Sequence, residues 1–176
     1  MPEESLMYPI GRFRFPESKS NACVKEAILG MQRFPVALLE LPTGLSDQKL
    51  KTTYRPGGWS IRQPVYHLAD SHTNAFIRFK LAVIEKKAPM IKPYKENDWA
   101  ELADSKLQID ASVQLFGGIH KCWCYLMENR NAPQWLRSFF HPEQKQSIAR
   151  NASALARDWH GKHHLAHIRL VKNANK

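Results

Sequence analysis

The chain contains little cysteine. Its 176 residues include three, Cys23, Cys122 and Cys124, and this odd number does not make a disulfide framework. A single residue separates Cys122 from Cys124, which is too close for a comfortable disulfide, so we expect a reducing, cytoplasmic location. Because there is no second cysteine pair, we do not expect a zinc site made of cysteines alone. We expect Cys122 and Cys124 to be buried packing residues rather than nucleophiles.

Long apolar runs are also absent from the sequence. None approaches the roughly 18 residues that a membrane-spanning helix needs, so we expect no transmembrane segment and no membrane partner. Residues 1–5 are acidic and lack an apolar segment, which argues against a secretory signal. The 43% hydrophobic and 24% charged residues are typical of a soluble globular protein. The length suits a single domain over residues 1–176.

Acidic residues are few compared with basic ones. Asp and Glu number 16 against 26 Lys and Arg, which gives a formal net charge of +10. Such a charge is common among nucleic-acid-binding proteins. Here, however, the basic residues are spread along the chain, without a basic block or an RNA-binding aromatic motif. We therefore expect no nucleic-acid partner, and the charge favours small anionic molecules instead.

Apolar periodicity predicts an all-α protein with four main helices. The first helix contains Pro35, which we expect to interrupt it, because a proline ring clashes with the preceding turn. The second begins after Ser60, where Ser60 and Gln63 form a capping box, and runs to about Glu85. The third is expected from about Ile109 to Asn129 with an interruption at Gly117 and Gly118, and the fourth from about Ser147 to Lys172. Without a series of strands, these helices predict a four-helix bundle.

The segments between the predicted helices are long and rich in proline. Residues 6–17 predict an extended N-terminal leader that packs its aromatic side chains on the body of the protein. Residues 86–107 and 131–146 predict long loops, and loops of this length often cover functional sites.

The last predicted helix carries four of the eight histidines, His160, His163, His164 and His167. On a helix they share an arc of about 100°. Two pairs, His160/His164 and His163/His167, have the i, i+4 spacing that lets two imidazoles bind one metal ion. Buried imidazoles each need a hydrogen-bond partner, so the cluster favours a metal site over plain packing. The alternative is a patch of histidines that are solvated or hydrogen-bonded to one another. Periodicity does not choose between the two pairs.

A polar column on the second predicted helix has two interpretations. It consists of five side chains that share one face, opposite the apolar face: His67, Asp70, Ser71, Asn74 and Arg78. The column either faces solvent, which periodicity alone favours, or lines a cleft with His67 as a metal ligand. His72 lies about 140° away from His67 around the helix, so we do not expect it to be a ligand of the same ion.

Seven segments of the chain form long motifs: residues 54–63 (YRPGGWSIRQ), 67–72 (HLADSH), 74–81 (NAFIRFKL), 91–94 (IKPY), 99–102 (WAEL), 140–143 (FHPE) and 159–168 (WHGKHHLAHI). Together they resemble the YfiT-type branch of the DinB-like superfamily, over most of the chain. The resemblance implies a DinB-like four-helix bundle, often a homodimer, that is a metal-dependent hydrolase. Related proteins are thiol transferases that use bacillithiol. The eight Phe, five Trp and five Tyr, many for a small bundle, also favour a homodimer.

The same resemblance implies one divalent metal ion per subunit. The three-histidine site of the family maps onto His67, His160 and His164, whereas His163 and His167 are expected to be supporting or core residues. Zn²⁺ and Ni²⁺ both suit imidazole ligands.

A site of three imidazoles leaves a coordination position open for chemistry. It can activate water to attack an amide or ester, or a thiol to attack a small electrophile. We consider Asp70 a candidate hydrogen-bond partner of the ligand His67, and Arg78 a candidate binder of a substrate carboxylate. The alternative function is a non-catalytic, metal-stabilised bundle that binds a small molecule.

Overall fold

The computed structural model describes residues 3–16, 20–42, 45–129 and 135–173. Among these residues, no helix is both long and apolar enough to cross a membrane. A 3₁₀ turn covers Ala103–Lys106. The helices and strands are α1 (Glu3–Met7), α2 (Asn21–Glu40), α3 (Asp47–Leu50), α4 (Arg62–Ile84), α5 (Glu96–Trp99), α6 (Ile109–Glu128), β1 (Ser138–His141), β2 (Gln146–Ala149) and α7 (Arg150–Asn173).

The four long helices α2, α4, α6 and α7 form a bundle. Helices α2 and α4 each pack against both α6 and α7, so the order around the bundle is α2–α6–α4–α7. Burial of one apolar stripe from each helix drives this association. The core includes side chains with no exposed surface from every long helix: Met31, Leu38, Leu68, Phe79, Phe116, Trp123 and Ile168. The predicted all-α, four-helix-bundle fold is confirmed.

The expected interruption at Pro35 is wrong, because α2 continues through it to Glu40. Proline has no N–H to donate to the carbonyl four residues earlier, which is that of Met31. In this bundle the Met31 carbonyl oxygen lies 2.8 Å from Nδ1 of His120 on α6. A bond between helices thus replaces the bond lost within the helix.

The expected interruption of α6 at Gly117 and Gly118 is also wrong. The helix is continuous from Ile109 to Glu128 and buries Val113, Phe116 and Trp123 on one side. Burial of this face outweighs the cost of two glycines, each about 1 kcal/mol relative to alanine. Gly117 faces Pro35 across the α2–α6 contact.

The segment before the last helix contains a β-hairpin that the sequence patterns did not predict. Strands β1 and β2 pair antiparallel from Ser138 opposite Ala149 to His141 opposite Gln146. Helix α7 consequently begins at Arg150 rather than Ser147. The preceding loop joins this hairpin, since Ile91 N–H donates to the Phe140 carbonyl at 3.0 Å. Residues 131–134, the start of the predicted loop, lie outside the described residues.

The N-terminal leader packs against α7 as expected, although its first part is the short helix α1. The Phe13 and Trp159 ring centroids are 5.5 Å apart. Nε2–H of His167 donates to the carbonyl oxygens of Leu6 and Met7, at 3.1 and 3.2 Å. The leader therefore lies beside the histidine cluster. Residue 17, its predicted last residue, is outside the described residues.

Two helical glycines differ sharply in their surroundings, and this difference is testable. A Cβ at Gly161 would lie 2.2 to 2.7 Å from atoms of the buried Phe34 ring, whereas a Cβ at Gly118 would meet nothing within 4 Å. We expect Gly161→Ala to lower the free energy of unfolding by about 1–3 kcal/mol through overpacking. Gly118→Ala should raise it by about 0.5–1 kcal/mol through helix propensity. Urea unfolding followed by circular dichroism measures both, and a shift of the same sign in the two variants would contradict this packing.

Candidate metal centre

A short structured loop sets the position of His67 near the start of α4. Ile61 N–H donates to the Thr52 carbonyl at 3.0 Å, which closes the loop. The predicted capping box is half formed, because Gln63 Oε1 accepts from Ser60 N–H at 2.8 Å and the helix then begins at Arg62. This loop places the Trp59 ring 4.9 Å from that of His67. The indole thus covers one side of the first predicted ligand.

The structure brings His67, His160 and His164 together across the contact between α4 and α7. One ring nitrogen from each lies within 4.8 Å of those of the other two. The Nε2 atoms of His67 and His160 are 3.0 Å apart. The ring centroid of His164 is 4.8 Å from that of His67 and 4.6 Å from that of His160.

Burial keeps these three imidazoles neutral. Desolvation lowers the pKa of His67 to about 3, helped by the positive charge of Arg157 and by His163. The pKa values of His160 and His164 are also lowered well below the usual value, first by burial and then by neighbouring imidazoles and Arg157. Neutral imidazole is the form that binds a metal. Nδ1 of His164 is buried without a hydrogen-bond partner among the described residues. The three residues therefore fit a divalent ion.

A second group of imidazoles, His163, His164 and His167, meets the same distance condition and shares His164 with the first. The His163 ring stacks on Trp159 at 4.6 Å, and the His167 ring stacks on Tyr54 at 4.1 Å. The first stack lies within α7, and the second holds the loop before α4 against α7. Both i, i+4 pairs, His160/His164 and His163/His167, thus lie in the cluster. Only the group with His160 and His164 also includes a side chain from α4, that of His67.

Two further histidines, His72 and His120, form a hydrogen-bonded row behind the cluster. Nδ1 of His160 lies 3.2 Å from Nε2 of His72, and Nδ1 of His72 lies 2.9 Å from Nε2 of His120. Nδ1 of His120 lies 2.8 Å from the carbonyl oxygen of Met31. His72 and His120 are almost fully buried. The row links all four bundle helices, which no pattern within one helix could reveal.

The polar column of α4 does not face solvent, so the interpretation that periodicity favoured is wrong. His67 and Ser71 are buried, and Asp70, Asn74 and Arg78 are partly buried. No hydrogen bond joins the Asp70 carboxylate to His67 in the described part of the chain, so the structure does not pair them. Burial, with a contribution from Asp104, raises the pKa of Asp70 to about 6.

Cavities open on two sides of the cluster. One of about 340 Å³ has Trp59, His163, His164 and His167 in its walls. The other, of about 240 Å³, has walls that include His160 and Arg157 from α7, Arg78 from α4 and His141 from the hairpin. Arg78 also donates to the Lys92 carbonyl at 2.9 Å. A small molecule can therefore approach the cluster, and Arg78 lies in the wall of the second cavity.

The cysteines lie away from the cluster, and one of them differs from expectation. Cys124 is buried in the core, and burial followed by the charge of Glu128 raises the pKa of its thiol to about 12. Cys122 is exposed, so its predicted burial is wrong, because it points away from the apolar side of α6. Cys23, Cys122 and Cys124 are all free thiols.

Known proteins resemble this chain in both sequence and structure. The sequence model of the DinB superfamily matches residues 31–168. A protein of Oceanobacillus iheyensis named "Putative metal-dependent hydrolase" is 46% identical over 162 residues, which is 92% of each chain. A protein of Bacillus mycoides with the same name is 41% identical over 169 residues, 96% of each chain. The solved structure of YfiT from Bacillus subtilis, described as a probable metal-dependent hydrolase with an unusual four-helix bundle topology, matches with a TM-score of 0.92 at 38% identity. That match covers 97% of this chain and 98% of the other.

Proposed function

This chain belongs to the DinB superfamily, and from this membership we propose that it is an enzyme that binds one divalent metal ion through His67, His160 and His164. The observation that carries the proposal is the convergence of three neutral imidazoles, two buried and one partly buried, from two helices beside open cavities. Zn²⁺ and Ni²⁺ are the ions we propose, since both suit imidazole ligands. When bound, such an ion supplies Lewis-acid activation of water or of a thiol.

Hydrolysis of an amide or ester is the first proposed reaction, because it is the activity in the relatives' names. Transfer of a thiol such as bacillithiol to a small electrophile is the second. It is supported by the donor set, since neither imidazole group includes a carboxylate to serve as a general base. Thiols are acidic enough to need no such base once a cation binds them. Parallel assays with ester and amide substrates, and with thiols plus epoxides or alkyl halides, distinguish the two.

Replacement of single histidines tests the ligand set. We expect His67→Ala, His160→Ala and His164→Ala each to lower the bound metal well below one ion per chain and to abolish turnover. Lewis-acid activation is worth several kcal/mol, and each 1.36 kcal/mol is about tenfold in rate. His163→Ala and His167→Ala should keep the metal, and Cys122→Ser and Cys124→Ser should keep turnover. Elemental analysis of protein purified without a His tag, together with steady-state rates, measures these effects.

Opposite results would point to other functions. Loss of metal in His163→Ala and His167→Ala, with retention in His67→Ala, would move the ion to the second imidazole group. A wild-type protein that binds the metal but turns over none of these substrates would support a non-catalytic, metal-stabilised binding bundle.

The substrate that we propose is a small anion, because two guanidinium groups face the cavity beside His160. Arg157 lies one turn before His160 on α7, and its Nη1 donates to Ser71 Oγ at 2.7 Å. No carboxylate of the described residues is within 4.0 Å of a side-chain nitrogen of Arg157 or Arg78. Cations shielded from water are costly unless they are paired, so this cavity favours a carboxylate.

Aromatic rings in the same cavity wall suggest the rest of the ligand. Phe13 and Phe15 from the leader and Trp159 from α7 line it together with the arginines. Acidic groups act on the arginines from farther away: Glu96 contributes to the electrostatics of both, and Glu143 to that of Arg78. A carboxylate attached to an aromatic or apolar group therefore matches the cavity in charge and polarity.

Binding of 3-phenylpropionate, compared with the neutral 3-phenylpropionamide, tests this substrate class. We expect the metal-loaded protein to bind the acid about tenfold or more tightly than the amide, since hydrogen bonds between charged groups are the strong ones. Arg157→Gln and Arg78→Gln should each remove most of this preference. The control Arg169→Gln, an exposed residue of the same helix, should retain it. A preference that survives in Arg157→Gln but is lost in His160→Ala would place the carboxylate on the metal instead.

We also propose a homodimer in a reducing cytoplasm. The free thiols are consistent with that compartment. Leu29, Val36 and Leu39 lie on one side of α2 and are 51%, 58% and 59% exposed. Exposed apolar side chains on one side of a helix favour contact with a second copy.

Light scattering at micromolar concentration tests the assembly. We expect a mass twice the 20.3 kDa of one chain. Leu39→Lys should shift the protein to the monomer, because it places like charges in the interface. Leu102→Lys, on the loop of residues 86–107, is the matched control, because Leu102 is similarly exposed at 52%. A wild-type mass of one chain would refute the dimer.

A further inference from the structure

We infer that the row from Met31 through His120 and His72 fixes the proton of His160 on Nδ1, so that its Nε2 lone pair faces the metal site. The inference rests on the proposed role of His160 as a ligand. It makes His72 and His120 positioning residues, and it gives Pro35 a function. No comparison or motif assigns a role to these three residues.

The row begins at a carbonyl that proline leaves free. In an ordinary α-helix, the N–H of residue 35 would donate to the carbonyl of Met31. Pro35 has no N–H, so this oxygen is available to another helix. His120 on α6 occupies it, with 2.8 Å between Nδ1 and the oxygen. The proline therefore creates an acceptor in the middle of a helix, at the buried α2–α6 contact.

The Met31 carbonyl then determines which ring nitrogen of each histidine in the row carries the proton. A carbonyl oxygen only accepts, so Nδ1 of His120 carries a proton. Burial lowers the pKa of His120 to about 4, so the ring is neutral and its Nε2 accepts from Nδ1 of His72. His72 has no exposed surface, and its Nδ1 donates to His120, so its Nε2 accepts from Nδ1 of His160, 3.2 Å away.

His160 is left with an unprotonated Nε2, 3.0 Å from Nε2 of His67. The hydrogen bond made by one ring nitrogen of a histidine decides which nitrogen is free to bind a metal. Ligating histidines generally donate their other N–H to a carboxylate, carbonyl or water, which fixes the ring orientation. Here two neutral imidazoles connect the ligand to the carbonyl. The ring is thus oriented by neutral partners rather than by a carboxylate.

A purely structural role of His72 and His120 is the competing explanation. Both rings contact core aromatics, with centroids 5.1 and 4.0 Å from that of Phe116. Packing alone requires the shape of the rings but no particular proton positions. The test therefore needs variants that keep the shape and change the hydrogen bonds, and a measurement that reports protons directly.

Ring nitrogen NMR and zinc competition together make this test. In metal-free wild-type protein we expect His72, His120 and His160 all to be protonated at Nδ1. His120→Leu removes the row's connection to the carbonyl and should weaken Zn²⁺ binding by about 10- to 100-fold against a chelator, the usual effect of losing a partner of a metal ligand. His120→Gln has one donor and one acceptor for the same two neighbours, and it should stay within about threefold of wild type.

Pro35→Ala gives an independent signature. It supplies an N–H that competes with His120 for the Met31 carbonyl, while it removes an unfavourable helix residue. We expect weaker Zn²⁺ binding together with unchanged or higher resistance to urea. If His72 and His120 served packing alone, Pro35→Ala would not lower Zn²⁺ affinity while it keeps or raises resistance to urea.

Two results would overturn the inference. One is a proton on Nε2 of His72 or His120 in the wild-type protein. The other is unchanged Zn²⁺ affinity in both His120→Leu and Pro35→Ala. A wild-type protein that binds no Zn²⁺ would refute the proposed metal centre instead, and the NMR measurement would still decide the order of protons in the row.

Discussion

The hydrogen bond between His120 and the Met31 carbonyl is the contact on which both the bundle and its centre depend. It compensates for the bond that Pro35 removes from α2, and it ties α2 to α6 at the level of the histidine cluster. Through His72 it continues to α4, and through His160 to α7. Buried polar groups are costly when unpaired and stabilising when every member is satisfied. The Met31 carbonyl, left without a partner in its own helix by Pro35, therefore anchors a row of hydrogen-bonded imidazoles through the core.

The packing of α2 against α7 depends on the same part of α2. Phe34, next to Pro35, places its ring against Gly161, where a side chain of any size would collide. The same ring is 5.8 Å from that of His120. The absence of a side chain beside His160 thus lets α2 come close enough for its carbonyl to anchor the row. Gly161, a poor helix former, occurs inside a long helix because the close contact with Phe34 requires it.

The sequence predicted the bundle because its four helices each bury a periodic apolar face, and periodicity is a property of single helices. The motifs placed His67, His160 and His164 as candidate ligands, and the structure brings them together, although their occupation by a metal stays a prediction. Pro35 was misjudged because the partner that replaces its lost bond is 85 residues away in the chain. His72 and His120 were missed for the same reason. Strands β1 and β2 have only four residues each, too few for a reliable alternating pattern.

His160 connects the two polar features of the protein, the row of imidazoles and the cavity with the arginines. Arg157 contributes to the lowered pKa of His67, His160 and His164 because its positive charge disfavours a further positive charge beside it. The same repulsion acts against a divalent cation at these rings. An anion bound at Arg157 would cancel it, so substrate binding should strengthen metal binding, and by reciprocity the metal should strengthen substrate binding. A basic side chain beside a cation site is thus understandable if the natural ligand of the cavity carries a negative charge.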